Sequence, residues 1–145
     1  MIKTLIAEGI PEDSIVKNSG HCLHPTFLRR SVEESLQRLN LQTLDIVYIH
    51  NPYEAQGPFN TDAVFYDRLQ QAFETMEQLV SENKIRAYGI ATYSSLRVKP
   101  TEQKIHLNIQ KVERLAQKVA GKSHNMRFVQ VPVNVMMPES FVEPW

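Results

Sequence analysis

Thr43-Leu44-Asp45-Ile46-Val47-Tyr48-Ile49-His50-Asn51-Pro52 is the stretch on which the fold turns. Ile46, Val47, Tyr48 and Ile49 make a short, nearly unbroken apolar run, the pattern of a strand buried on both faces of a parallel sheet. Pro52 ends it, because proline cannot continue a strand ladder and biases its neighbour towards an extended turn. A histidine and an asparagine are thus delivered together at the carboxyl end of a central strand. In open and closed α/β folds that end is where ligands bind. Taken alone, His50 reads equally well as a hydrogen-bonded histidine closing a strand, so the neighbouring segments decide.

Upstream, residues 1–9 have the pattern of a short amphipathic helix, with Gly9 placed to close it in the left-handed conformation. Residues 14–18 (Ser-Ile-Val-Lys-Asn) read as a first strand, and residues 19–25 as the loop above it. From Thr26 the period changes. Leu28, Val32, Leu36 and Leu39 form a helical stripe, and Asn40 is a suitable left-handed stop.

Downstream, residues 51–60 carry two prolines and a glycine and read as an irregular loop. Thr61 or Asp62 caps a helix whose buried face is Phe65, Leu69, Ala72, Phe73, Met76, Leu79 and Val80. Residues 85–92 read as the third strand. A third long helix runs from a Thr101 cap to Gly121 with the stripe Ile105, Ile109, Val112, Ala116 and Val119. Residues 126–133 read as the fourth strand. Strands and helices alternate, which argues for α/β architecture with parallel βα units. The expectation is one domain over residues 1–145, with four strands, three long helices and a C-terminal tail.

Sixteen basic and sixteen acidic residues cancel, so bulk charge points to neither nucleic acid nor an anionic membrane. No apolar run approaches the roughly 20 residues of a membrane span. One cysteine, Cys22, excludes an internal disulfide and suits a reducing compartment; cytoplasm is the default, and a mature organellar chain reads the same. Lys99, Lys104, Lys111, Lys118 and Lys122 read as a solvated face. His21, Cys22 and His24 fit no common zinc spacing, so no metal is expected. A complete (β/α)8 barrel takes about 250 residues, and 145 accommodate about half of one.

Taken together these segments resemble the aldo-keto reductase family from about Ser14 to Trp145. The most specific parts are residues 36–52, the turn Ala87-Tyr88-Gly89-Ile90-Ala91-Thr92, and Val129-Gln130-Val131-Pro132-Val133-Asn134. The resemblance implies a partial TIM (β/α)8 barrel, roughly its third to sixth strand units. It also implies NADP(H)-dependent carbonyl reduction by a catalytic aspartate, tyrosine, lysine and histidine. In that set the lysine lowers the tyrosine pKa and the histidine orients the carbonyl.

His50 matches the family's histidine. The aspartate and tyrosine belong to the family's first two strands, which this sequence lacks. Lys17 is the only candidate for the lysine, and it stands one residue before Asn18, where longer-loop relatives would place it. A one-residue slip on a strand turns a side chain to the other face. Either the loop has gained a residue and Lys17 points inward, or Asn18 holds the position and the site is dead. The resemblance further implies Thr92, Gln130 and Asn51 as cofactor contacts. The phosphate-binding loop of the last two units is absent, so NADP cannot be told from NAD.

Two functions are consistent with this. The chain is a fragment or truncated relative of an NADP(H)-dependent reductase, or it is a non-catalytic structural or interaction subunit of a larger assembly that binds no cofactor itself. In both cases a four-strand arc has two open edges, residues 14–18 and 126–133. Another protein chain or the missing barrel segments are expected along them. Ile15, Val131 and Val133 are the candidate apolar contacts, and the tail from Met136 to Trp145 is expected to have no helix or strand of its own.

Overall fold

The computed structural model describes residues 2–102 and 105–143, so Met1, Lys104 and Trp145 lie outside the described residues. Its centre is a parallel sheet in the order β3 (Leu44–His50), β4 (Ile85–Ala91), β5 (Met126–Gln130). Between these strands run α4 (Asp62–Ser81) and α5 (Ile109–Ala120), the crossovers that parallel pairing requires. α2 (Pro25–Leu39) precedes β3.

Each helix carries its own start and stop. The His24 ring accepts a hydrogen bond from the Thr26 amide at the head of α2, and Pro25 sits where a missing N–H costs nothing. At the other end Asn40 is left-handed, with φ 54°; its amide and that of Leu41 return to the Gln37 and Leu36 carbonyls. Gly9 and Ile10 close α1 (Ile2–Ala7) in the same way, and Asn83 and Lys84 close α4. Thr61 caps α4 through the Val64 amide.

The main core lies on one side of the sheet. Phe65, Leu69, Phe73, Met76 and Leu79 of α4 are fully buried against Tyr88 and Ile90 of β4, with Val112 and Ala116 of α5 and Val32 of α2 around them. The Phe73 and Tyr88 rings are 5.4 Å apart. One buried polar staple crosses this core. The Glu77 carboxylate accepts from the Tyr88 hydroxyl (2.9 Å), the Asn125 amide (2.7 Å) and the Asn125 side chain (2.7 Å), tying α4 to β4 and to the entry of β5. Burial and this carboxylate push the Tyr88 phenol well above its ordinary pKa.

Several expectations are corrected. The first strand is short and not parallel. β1 (Ile15–Val16) pairs antiparallel with β2 (His21–Cys22), outside the main sheet. Gly20, at φ 69°, permits a tight turn in which its amide reaches the Val16 carbonyl at 2.7 Å. The two residues of β1 therefore pair with their own hairpin and not with β3. Ile15 is buried with Leu5, Ile10 and Cys22 in a second small core and does not line an open face.

Residues 51–60 are helical in part. α3 (Pro52–Gln56) follows β3 directly, because proline at a first helical position is tolerated, and a 3-10 turn spans Gly57–Phe59. α5 is capped by Asn108, whose side chain accepts from the Lys111 amide, and not by Thr101; Ile105 lies before the helix and is exposed. β5 stops at Gln130, two residues before Pro132, which has no N–H for a ladder. The tail holds α6 (Glu139–Val142), pinned by the two-pronged Arg97–Glu139 pair at 2.7 and 3.0 Å.

β3, expected as a central strand, is an outer strand of the sheet among the described residues and is buried on one face only. Ile46 and Tyr48 are exposed, whereas Ile49 is buried. Across the sheet Tyr48 pairs with Gly89, and Gly89 with Phe128, where the ladder shifts register. A β-carbon on Gly89 would stand 2.2 Å from the Phe128 carbonyl oxygen, so only glycine allows this approach.

Candidate active site

The parallel register brings the carboxyl ends of three strands level. His50 pairs with Ala91, and Ala91 with Gln130. Beyond the last pairs, the Asn51 amide donates to the Ala91 carbonyl at 2.6 Å and the Thr92 amide to the Gln130 carbonyl at 2.9 Å. Asn51 is left-handed (φ 45°), which turns the chain from β3 into α3. His50, Asn51, Ala91, Thr92, Tyr93, Gln130, Val131 and Pro132 line one cleft of about 260 Å³. Four of the five residues singled out from the sequence, His50, Asn51, Thr92 and Gln130, therefore meet in one place.

Lys17 does not join them. It sits at the turn of the β1–β2 hairpin with its side chain 73% exposed, paired to Glu12 at 3.0 Å. Lys17 and Asn18 both line a separate depression with Glu12, Phe59 and Arg68. Neither candidate position lines the cleft.

The Thr92 hydroxyl is buried and finds no hydrogen-bond partner among the described residues. A buried unpaired hydroxyl beside an exposed glutamine amide is a donor–acceptor set suited to a carboxamide, so these residues fit the nicotinamide end of the implied cofactor. The loop that presents Thr92 is held from α3. One oxygen of Glu54 accepts from the Tyr93, Ser94 and Ser95 amides at 3.0, 3.0 and 2.9 Å. Arg97 lies over the Tyr93 ring, 5.8 Å from its centroid, and donates to the Tyr93 carbonyl.

Behind His50 lies a polar chain that the sequence did not disclose. The His21 Nε2 is 2.9 Å from the His50 carbonyl oxygen, and its Nδ1 is 3.2 Å from the Gln56 amide nitrogen. Arg68 donates to Gln56 Oε1 at 2.8 Å and to the Asp13 carbonyl at 2.8 Å. Burial, ahead of the neighbouring charges, lowers the His21 pKa from its ordinary value; the Cys22 thiol beside it is raised by burial. Of the His21, Cys22 and His24 atoms, both His21 ring nitrogens lie in the chain above, Cys22 Sγ accepts from the His24 amide, and His24 Nδ1 accepts from the Thr26 amide. No group of three potential metal ligands converges among the described residues. Among the described residues no helix is long and apolar enough to cross a membrane.

Only one signal for these supporting residues was present in the sequence. Asn51-Pro52 is a plausible helix start, and a helix there brings Glu54 and Gln56 back towards the strand ends. Nothing local points to Arg68 or His21.

A model described as the aldo/keto reductase family matches residues 12–125. The matched span includes His50 and Thr92 and stops short of Gln130. None of the curated proteins compared with the chain matches it.

Proposed function

The chain belongs to the aldo/keto reductase family, and from that premise we propose that it supplies one wall of an NADP(H)-dependent carbonyl reductase site. His50 donates a hydrogen bond that orients the substrate carbonyl. Thr92, Gln130 and Asn51 receive the nicotinamide end of the cofactor, which when bound supplies the hydride. The observation that carries this reading is the shared cleft, with the unpaired Thr92 hydroxyl buried at its wall.

The wall is incomplete as chemistry. Of the residues lining the cleft, Tyr93 is the one phenol, and no lysine stands among them. The proton for the carbonyl must then come from strands packed against the exposed sheet face, either further segments of a barrel or another chain. Calorimetric titration with NADPH tests the proposal. Weak binding, lost in Gln130→Ala and Thr92→Val, is expected, with no NADPH oxidation in the presence of aldehydes or quinones. Tight binding indifferent to both substitutions would overturn the proposal, and turnover by this chain alone would overturn the incompleteness of the wall.

A second reading, a non-catalytic subunit of a larger assembly, has its own supporting observation: Lys17 is paired with Glu12 away from the cleft. Absence of any NADPH binding, with His50→Ala leaving assembly intact, would favour it.

A further inference from the structure

We propose that His21 is a positioning residue for the cleft: held as a neutral Nε2–H tautomer by Gln56 and Arg68, it fixes the His50 carbonyl and with it the carboxyl end of β3. The tautomer stands on geometry alone; its importance for cofactor binding rests on the reading of the cleft given above.

The proton positions follow from which atoms can only donate and which can only accept. A carbonyl oxygen only accepts, so the His21 Nε2 that lies 2.9 Å from the His50 oxygen carries the hydrogen. Guanidinium only donates, so the Gln56 atom 2.8 Å from Arg68 is the oxygen; Asn60 donates to the same atom at 3.3 Å. The other Gln56 amide atom is then the NH2, and at 3.2 Å it donates to His21 Nδ1, which must present its lone pair. Gln56 is fully buried, so neither bond is exchanged cheaply for water.

β3 is an outer strand of the three-stranded sheet among the described residues, and its other neighbour is missing. His21 reaches its last carbonyl from a different sheet and stands in for a strand partner beside the side chain that matters. The Asn51 amide secures the same corner towards β4.

A second proton on His21 would face the Gln56 NH2, a donor against a donor. His50 of β3 adds a further opposing charge when protonated, and the Arg68 guanidinium of α4 stands behind Gln56. The bond to the His50 carbonyl, and after it Glu54 of α3, pull the other way, and desolvation outweighs them. The imidazole is therefore kept neutral where an exposed histidine would charge.

Ring-nitrogen NMR of the full 145-residue chain across pH 8 to 5 tests this. His21 is expected to show one tautomer, protonated at Nε2, and to titrate below the ordinary histidine value of 6.5. A Gln56→Glu variant turns the donor at Nδ1 into an acceptor, and His21 should then become doubly protonated near neutral pH while keeping its bond to the His50 carbonyl. A residue that merely fills space would not respond to this change. In His21→Phe the His50 carbonyl-carbon resonance should move, amide exchange at residues 50–52 should quicken, and NADPH affinity should fall about tenfold, the scale of one lost hydrogen bond to an ordered group. An Nδ1–H tautomer, titration of His21 at or above 6.5, or an unmoved His50 carbonyl overturns the proposal. Absence of NADPH binding by the wild-type chain instead overturns the reading of the cleft and leaves the tautomer result to decide this one.

Discussion

The two faces of the β3–β4–β5 sheet are built from the same strands, and they differ in what covers them. On one face Ile49, Tyr88 and Ile90 are between 0 and 3% exposed beneath α4 and its neighbours. On the other Ile46, Tyr48 and Phe128 are 37 to 39% exposed. Residue type therefore does not distinguish the faces. The covered face is stabilised by contacts inside the chain, and the open face is exposed apolar surface.

The largest expected effect sharpens that contrast. Phe73→Ala empties the covered side and should cost about 3–5 kcal/mol of folding stability, whereas Tyr48→Ala on the open side should cost less than about 0.5 kcal/mol. Urea denaturation of the two variants checks this, and a Tyr48 cost as large as that of Phe73 would show that the open face is covered. Next, Gly89→Ala forces a β-carbon onto the Phe128 carbonyl and should destabilise by about 1–3 kcal/mol by distorting the β4–β5 ladder. An unchanged denaturation midpoint would count against the close approach.

The open face should also govern association. The chain is expected to self-associate or to pack against another protein, and Tyr48→Lys with Phe128→Lys should shift it towards monomer. Sedimentation measures this directly, and a wild-type chain that stays monomeric at high concentration would contradict the expectation.

The smallest effect lies far from either face. Arg29 and Lys84 hold the Glu82 carboxyl at about 2, below its ordinary 4.5. Because the unfolded chain takes up this proton first, the contribution is fully present above pH 4.5 and is lost as pH falls towards 2. Glu82→Gln should flatten that acid limb slightly, since the pair is exposed and screened. His21 acts in a different window: its lowered pKa makes stability decline as pH drops below 6.5, and His21→Phe should remove that slope.

Much of the framework was legible because its causes are local. The apolar run 46–49 is a strand, the stripe Leu28, Val32, Leu36 is buried, Thr61 caps α4, and Asn40 and Gly121 stop helices where backbone preference says they should. Leu39 was not legible. It continues the stripe of α2 yet is 61% exposed, because the helix ends there and nothing packs over it. Likewise Ile46 and Tyr48 have the sequence signature of a doubly buried strand, but periodicity records that a face is apolar and not what covers it.

The sequence by itself determined that β3 delivers His50 and Asn51 at a strand end and that Thr92 closes the strand that follows, whereas the strand read over 126–133 stops at Gln130 only in the structure; the first two depend on neighbours within one element. Only the tertiary structure decided that these four share a cleft while Lys17 does not. It alone decided that residues 15–22 form a hairpin, since a two-residue strand can pair with either partner and Gly20 lets the nearer one win. The supporting bonds from His21 to His50, Gln56 to His21, and Glu54 to residues 93–95 join positions 29 to 41 residues apart. Such pairings leave no periodic trace, because they depend on where elements dock and not on what each element is.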